Sequence, residues 1–124
     1  MKSAYIFIPT RLPGLNDYIK AERGNKYAAA ALKKNTEMKL LLYIKRQCKV
    51  QFTRPVVMVY VWTEPDRRRD KDNIAWAKKL VQDALVKAGV LQGDGWRHIE
   101  EFTDRFKVDK QNPGVGITIE EVGA

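Results

Sequence analysis

The residues best suited to chemistry are Asp70 and Asp72, one residue apart and preceded by Arg67, Arg68 and Arg69. In an extended stretch, residues two apart point the same way, so the two carboxylates can converge. At a separation of about 5 Å they repel by roughly 3 kcal/mol at an effective dielectric of about 20. A divalent cation removes that penalty. Hard oxygen ligands suit magnesium, which takes one or two carboxylates and keeps waters and phosphate oxygens in its other positions. Such an ion polarises a phosphodiester and supplies hydroxide for in-line attack. The three arginines, with Lys71, are candidates to hold the neighbouring phosphates. The alternative needs no metal: Asp72 or Asn73 caps the helix that follows. A cap explains one acid cheaply but not both. A third carboxylate, Asp94, lies between Gly93 and Gly95. Glycine lets backbone approach a ligand closely, although a turn aspartate needs no ligand at all.

Several elements must position these groups. AYIFIP (Ala4 to Pro9) reads as a first strand stopped by proline. An irregular segment rich in Pro, Gly and Asn follows, with a short helical turn expected at Asn16 to Arg23. Tyr27 to about Lys49 is a long helical candidate built from alanine, leucine and lysine. RPVVMVYVWTEP (Arg54 to Pro65) is the strongest strand. Both of its faces are apolar, which predicts a central strand covered above and below. Asn73 to about Ala88 reads as a second helix, with Gly89 suited to its stop. Its core face collects Ile74, Ala77, Val81, Ala84, Leu85 and Ala88. Two strands are expected at the end, about His98 to Val108 and Gly116 to Val122, joined by a turn at QNPG. The expected class is α/β (α+β): one domain over residues 1–124, in the order β-α-β-α-β-β, with helices packed on a mixed sheet.

Lysine and arginine total 23 against 15 acids, a net charge of +8 on 124 residues. That balance points to a polyanionic partner, nucleic acid before a membrane surface. The opening MKSAYIFIPT is too short in apolar residues for a secretory signal, and no run approaches a membrane span. Cys48 is the single cysteine, which excludes an internal disulfide and a cysteine-based zinc cluster. A soluble, cytoplasmic protein is expected.

RRRDKDN, a helix closing on DALVKAGVL, and an acid five residues after Gly89 occur here in order. Together they resemble the RusA family of Holliday-junction resolvases, magnesium-dependent endonucleases often carried by prophages. The opening strand ending in proline, followed by Asn16 and Tyr18, and the closing ITIEE also resemble that family. The resemblance spans most of the chain, with its specific part at positions 67–96. It implies that Asp70, Asp72 and Asp94 bind the metal, with magnesium the expected ion and manganese a possible substitute. Asp83, which opens D-A-L, and Asn16 match secondary positions. A functional lysine is expected on the helix. Counting back from D-A-L gives Lys79; counting forward from D-x-D-N gives Trp76, because this helix is about three residues longer. Lys79 is taken as that residue and Lys78 as its alternative, Lys78 also serving as a DNA contact beside Arg67, Arg68, Arg69 and Lys71. Gly93 departs from the family's usual paired acids in this loop.

The resemblance further implies a homodimer that cuts a four-way junction by two symmetric nicks in recombination and repair, with no small-molecule cofactor and no membrane partner. Trp76 and Leu80, off the helix's core face, are candidate dimer contacts. The contrasting reading is a basic phage-type DNA-binding protein without catalysis, its aspartates serving as caps. One geometric problem stands out. A helix from Asn73 to Ala88 is about 24 Å long, and the residues from Gly89 to Asp94 span at most about 20 Å. Either the loop doubles back, or Asp94 meets Asp70 and Asp72 of a second subunit.

Overall fold

Every even position of the strongest strand, Val56, Met58, Tyr60 and Trp62, is buried. They anchor the helix-covered face of a four-stranded sheet with the spatial order β1-β4-β2-β3. The computed structural model describes residues 1–123. In chain order the elements are β1 (Ser3–Ile8), α1 (Leu15–Gly24), α2 (Lys26–Gln47), β2 (Val56–Glu64), α3 (Lys71–Ala75), α4 (Lys78–Lys87), β3 (Ile99–Val108) and β4 (Gly114–Glu121). β4 runs antiparallel to both β1 and β2, whereas β2 and β3 are parallel. The result is one small α+β domain with a mixed sheet.

The core joins Ile6 and Ile8 of β1, Val115, Ile117 and Ile119 of β4, and the even positions of β2 to Leu40 and Ile44 of α2 and Val81, Ala84 and Leu85 of α4. None of Val57, Val59 and Val61 belongs to that core, and all three are half-buried. The expectation that β2 is covered on both faces is therefore corrected: the helices pack on one face alone. β-branched residues on the other face serve strand geometry rather than a second layer.

The expected single helix from Asn73 to Ala88 is also corrected. It starts earlier and is interrupted after Ala75. At the interruption the amide of Ala77 bonds the carbonyl of Ile74 at 3.3 Å, and that of Lys79 bonds Trp76 at 3.3 Å. These are bonds of i→i−3 spacing, a locally tightened turn. Trp76 there packs edge-on against Tyr18 of α1, with ring centroids 5.2 Å apart. Leu80, expected off the helix's core face, is buried within the chain's own core. The segment Asn16 to Arg23, expected as a helical turn, lies within the ten-residue α1.

Candidate metal and phosphate groove

The corner between β2 and α3 is held by one buried acid. Glu64, 6% exposed, closes β2. Arg69 grips it with two hydrogen bonds, Nε to Oε1 at 2.9 Å and Nη2 to Oε2 at 2.7 Å. Its third nitrogen donates to the carbonyl of Leu12 at 3.1 Å, tying in the loop after β1. Arg11 adds a bond to the same carboxylate at 3.1 Å. A planar guanidinium committed to a bidentate pair has few donors left. Arg69 thus holds Glu64 and Leu12 while it also lines the groove of Asp70 and Asp72. Gly14 makes this packing possible: a Cβ there would lie 2.6 Å from Asn73 Oδ1 and 2.8 Å from Arg69 Nη1. Asn73 accepts the backbone amide of Asn16 at 2.8 Å, so Asn16 takes part through its main chain while its side chain stays exposed.

With the corner braced, Asp70 and Asp72 face outward. Both are exposed and line one open groove with Arg67, Lys71, Phe106 and Lys107, and the groove has a volume of about 960 Å³. Asp70 occupies the N-cap position of α3 with extended backbone, yet its side chain makes no capping bond. Asp72 gives one oxygen to the amide of Asn73 at 2.9 Å. Asp72 lies inside α3 and accepts only from the next amide, so neither acid caps the helix through its side chain. Two exposed carboxylates with spare oxygens are a donor set that fits magnesium, which completes its octahedron with water. Cations surround them: Arg67 and Lys107 line the groove, and Lys71 lies with its ammonium 5.5 Å from the centre of the Phe106 ring. Arg68, also exposed, is paired at 3.6 Å with Asp66.

Asp94 lies elsewhere. The loop after α4 doubles back, so that Asp94 meets Lys79 near the start of that helix, at 3.0 Å. Lys79 also pairs with Asp83, one turn along, at 2.9 Å. Bonds from Asp83 and Asp94 raise the Lys79 pKa above the usual lysine value, and the Lys79 hydrogen bond holds the Asp94 carboxyl below its own. Among the described residues no three acidic, histidine or cysteine side chains come together as a metal-binding group. Within one chain, then, Asp94 does not join Asp70 and Asp72. Gly93 has a steric reason: a Cβ there would come 2.6 Å from the His98 ring, which fills the space a second acid would need.

Lys78 points away from Lys79. It pairs with Asp104 of β3 and sits 3.9 Å from the centre of the Phe102 ring, with only 15% of its side chain exposed. Its charge is met by Asp104 in this structure. Asp104 accepts a further bond from the buried Trp62 Nε1 at 2.9 Å. Beneath lies Tyr60, whose hydroxyl accepts from Gln82 at 3.2 Å and whose burial pushes its pKa well above the usual phenol range. Sequence reasoning missed Asp104, Phe106 and Lys107. A signal existed for the first two: in a strand, Phe102, Asp104 and Phe106 fall on one face.

No protein-family model matches this chain. A search of curated proteins likewise finds no match. No helix among the described residues is long and apolar enough to cross a membrane.

Proposed function

We propose that this chain is a magnesium-dependent endonuclease of RusA type that nicks branched DNA, four-way junctions above all. The observation that carries the reading is the groove in which Asp70 and Asp72 stand together, exposed, among Arg67, Lys71 and Lys107. Asp70 and Asp72 would hold the ion, which when bound supplies a polarised phosphate and an activated water. The chain's own cations fix the phosphodiester beside it, as point charges and forked donors do for nucleic-acid backbones. Phe106 gives that groove an apolar wall.

Asp94 enters this reading through a homodimer, where it would complete the site formed by Asp70 and Asp72 of the other subunit. Its present partner, Lys79, is an exposed and therefore weakly held one. Mixed dimers of Asp70→Asn and Asp94→Asn subunits distinguish the arrangements. Shared sites leave one intact site and single-strand nicking; sites within one chain leave none.

The deciding experiment is cleavage of a synthetic four-way junction, with magnesium and with chelator, by the native chain and by Asp70→Asn. Paired symmetric nicks that need both magnesium and Asp70 are expected. A second reading, a DNA-binding protein without catalysis, draws support from the separation of Asp94 from the other two acids among the described residues. It predicts tight junction binding with no cleavage in magnesium or manganese.

A further inference from the structure

The long helix α2 carries apolar residues on two opposite faces. The core claims one of them through Ala29, Leu40 and Ile44, where α2 packs on β1, α1 and α4. At about 3.6 residues per turn, Tyr27, Ala31, Met38 and Leu42 fall within about 60° of arc on the other side. This second row stays open to solvent: Tyr27 is 75% exposed, Met38 59% and Leu42 49%. A surface helix needs one apolar stripe to join its own domain. Exposed apolar residues scattered singly need no explanation, but a row of them rimmed by charge marks an interaction site.

The charges of this outer face have one sign. Lys34 and Lys45 interleave with the apolar row, Lys39 and Arg46 flank it, and all are exposed. The single acid of the helix, Glu37, turns toward α4 and pairs with Lys87 at 3.1 Å. An occupant must answer both the apolar row and the bases. A second copy of α2 would bring base against base, and juxtaposed like charges exclude a partner. A nucleic-acid backbone answers the bases through polar contacts and leaves Met38 and Leu42 uncovered. A helix lying in a membrane interface keeps its basic residues on the face opposite the apolar one; here Lys34 and Lys45 interrupt the apolar row itself. An acidic amphipathic helix answers both properties. Its apolar seam covers the row, and its flanking carboxylates meet the bases, as flanking charges select partners in paired helices.

We infer that the outer face of α2 docks an acidic amphipathic helix of another protein, anchored on Met38 and Leu42 and oriented by Lys34, Lys39, Lys45 and Arg46. Methionine suits such a surface, because its flexible thioether adapts to the side chains it meets. Ala31 leaves room for the two helices to approach closely. The inference rests on α2 alone and is independent of the nuclease reading, so a chain that never cuts DNA leaves it standing.

The test uses the full chain and a fluorescent peptide with leucines at helical spacing and glutamates at its other positions. An isomer of the same composition, with that spacing scrambled, is the control. Native protein should bind the first peptide about tenfold more tightly than the second, because only the first presents a continuous seam to the anchors. Met38→Ser combined with Leu42→Ser should abolish the preference and leave the thermal midpoint unchanged, both side chains being exposed. Lys34→Glu combined with Lys45→Glu should weaken binding of the glutamate peptide and strengthen binding of its lysine counterpart, a gain that misfolding cannot produce. Equal binding of the two isomers, or a preference that survives loss of Met38 and Leu42, overturns the inference. So does a Met38→Ser, Leu42→Ser variant that keeps the peptide and loses phosphatidylglycerol vesicles or duplex DNA instead.

Discussion

Two regions beside the helical arm, the α3 groove and the loop that folds back onto Lys79, hold their acids in opposite ways. At the α3 end, Asp70 and Asp72 are exposed, and Asp70 makes no capping bond. At the loop end, Asp94 is already answered by Lys79, which Asp83 also holds. The first arrangement leaves negative charge to be met from outside the chain; the second meets it internally. Neighbouring arginines divide in the same manner, Arg69 locked onto Glu64 and Arg67 left at the groove. What an acid or a base can do here depends on what has already claimed it, and residue type alone does not reveal that.

The largest expected effect probes the groove end. Asp72→Asn should lower junction cleavage by about a hundredfold or more, as removal of a key charge at a reacting phosphate does. Its thermal midpoint should stay close to native. If Asp94→Asn costs as much cleavage, the two ends act together in one site, through the partner subunit. Native-like cutting by Asp94→Asn would keep them apart.

Next in size is the arginine contrast. Arg69→Ala strips a buried carboxylate of its bidentate partner and should lower stability by about 3 kcal/mol in denaturant titration. The remaining bond from Arg11 limits the loss. Arg67→Ala should leave stability unchanged and weaken DNA binding, with the slope of log affinity against log salt falling by about one. Equal stability losses from the two variants would break the contrast.

The smallest effect concerns the loop end. Because the Asp94 pKa is lowered on folding, its pair with Lys79 adds stability above the ordinary aspartate range, and that increment fades as pH falls through the lowered value. Lys79 titrates in the opposite sense: its raised pKa gives stability present below the ordinary lysine value and lost as pH rises through the raised one. Lys79 is mostly exposed, so Lys79→Met should change neutral-pH stability by no more than about 1 kcal/mol. A larger loss would mean that the loop depends on this pair for its fold.

The strands were legible because their residues are β-branched and aromatic and their ends carry proline or glycine. The buried face of α4 was legible for a similar reason, since Val81, Ala84 and Leu85 recur at helical spacing. Less visible was the interruption after Ala75, where no proline or glycine marks a break and the tightening accompanies packing of Trp76 on Tyr18. Which arginine is locked in place depends on Glu64, five residues earlier, and on the Leu12 carbonyl, fifty-seven residues earlier. Such long-range partners leave no periodic trace. Asp70 and Asp72 could be singled out from sequence because their spacing is local; the partner of Asp94 could not, because it follows from the path of a loop.

The three tryptophans divide the molecule optically. Trp62 is 3% exposed and stacked on Tyr60 with rings 5.6 Å apart, Trp76 is half-buried beside Tyr18, and Trp96 stands in solvent. Their emission should differ in colour and in access to a soluble quencher. Trp96 should report the loop that carries Asp94, Trp76 the tightened turn, and Trp62 the Asp104 carboxylate that its indole touches. The native chain thus carries a separate fluorophore in each of the regions whose behaviour matters most, with no label attached.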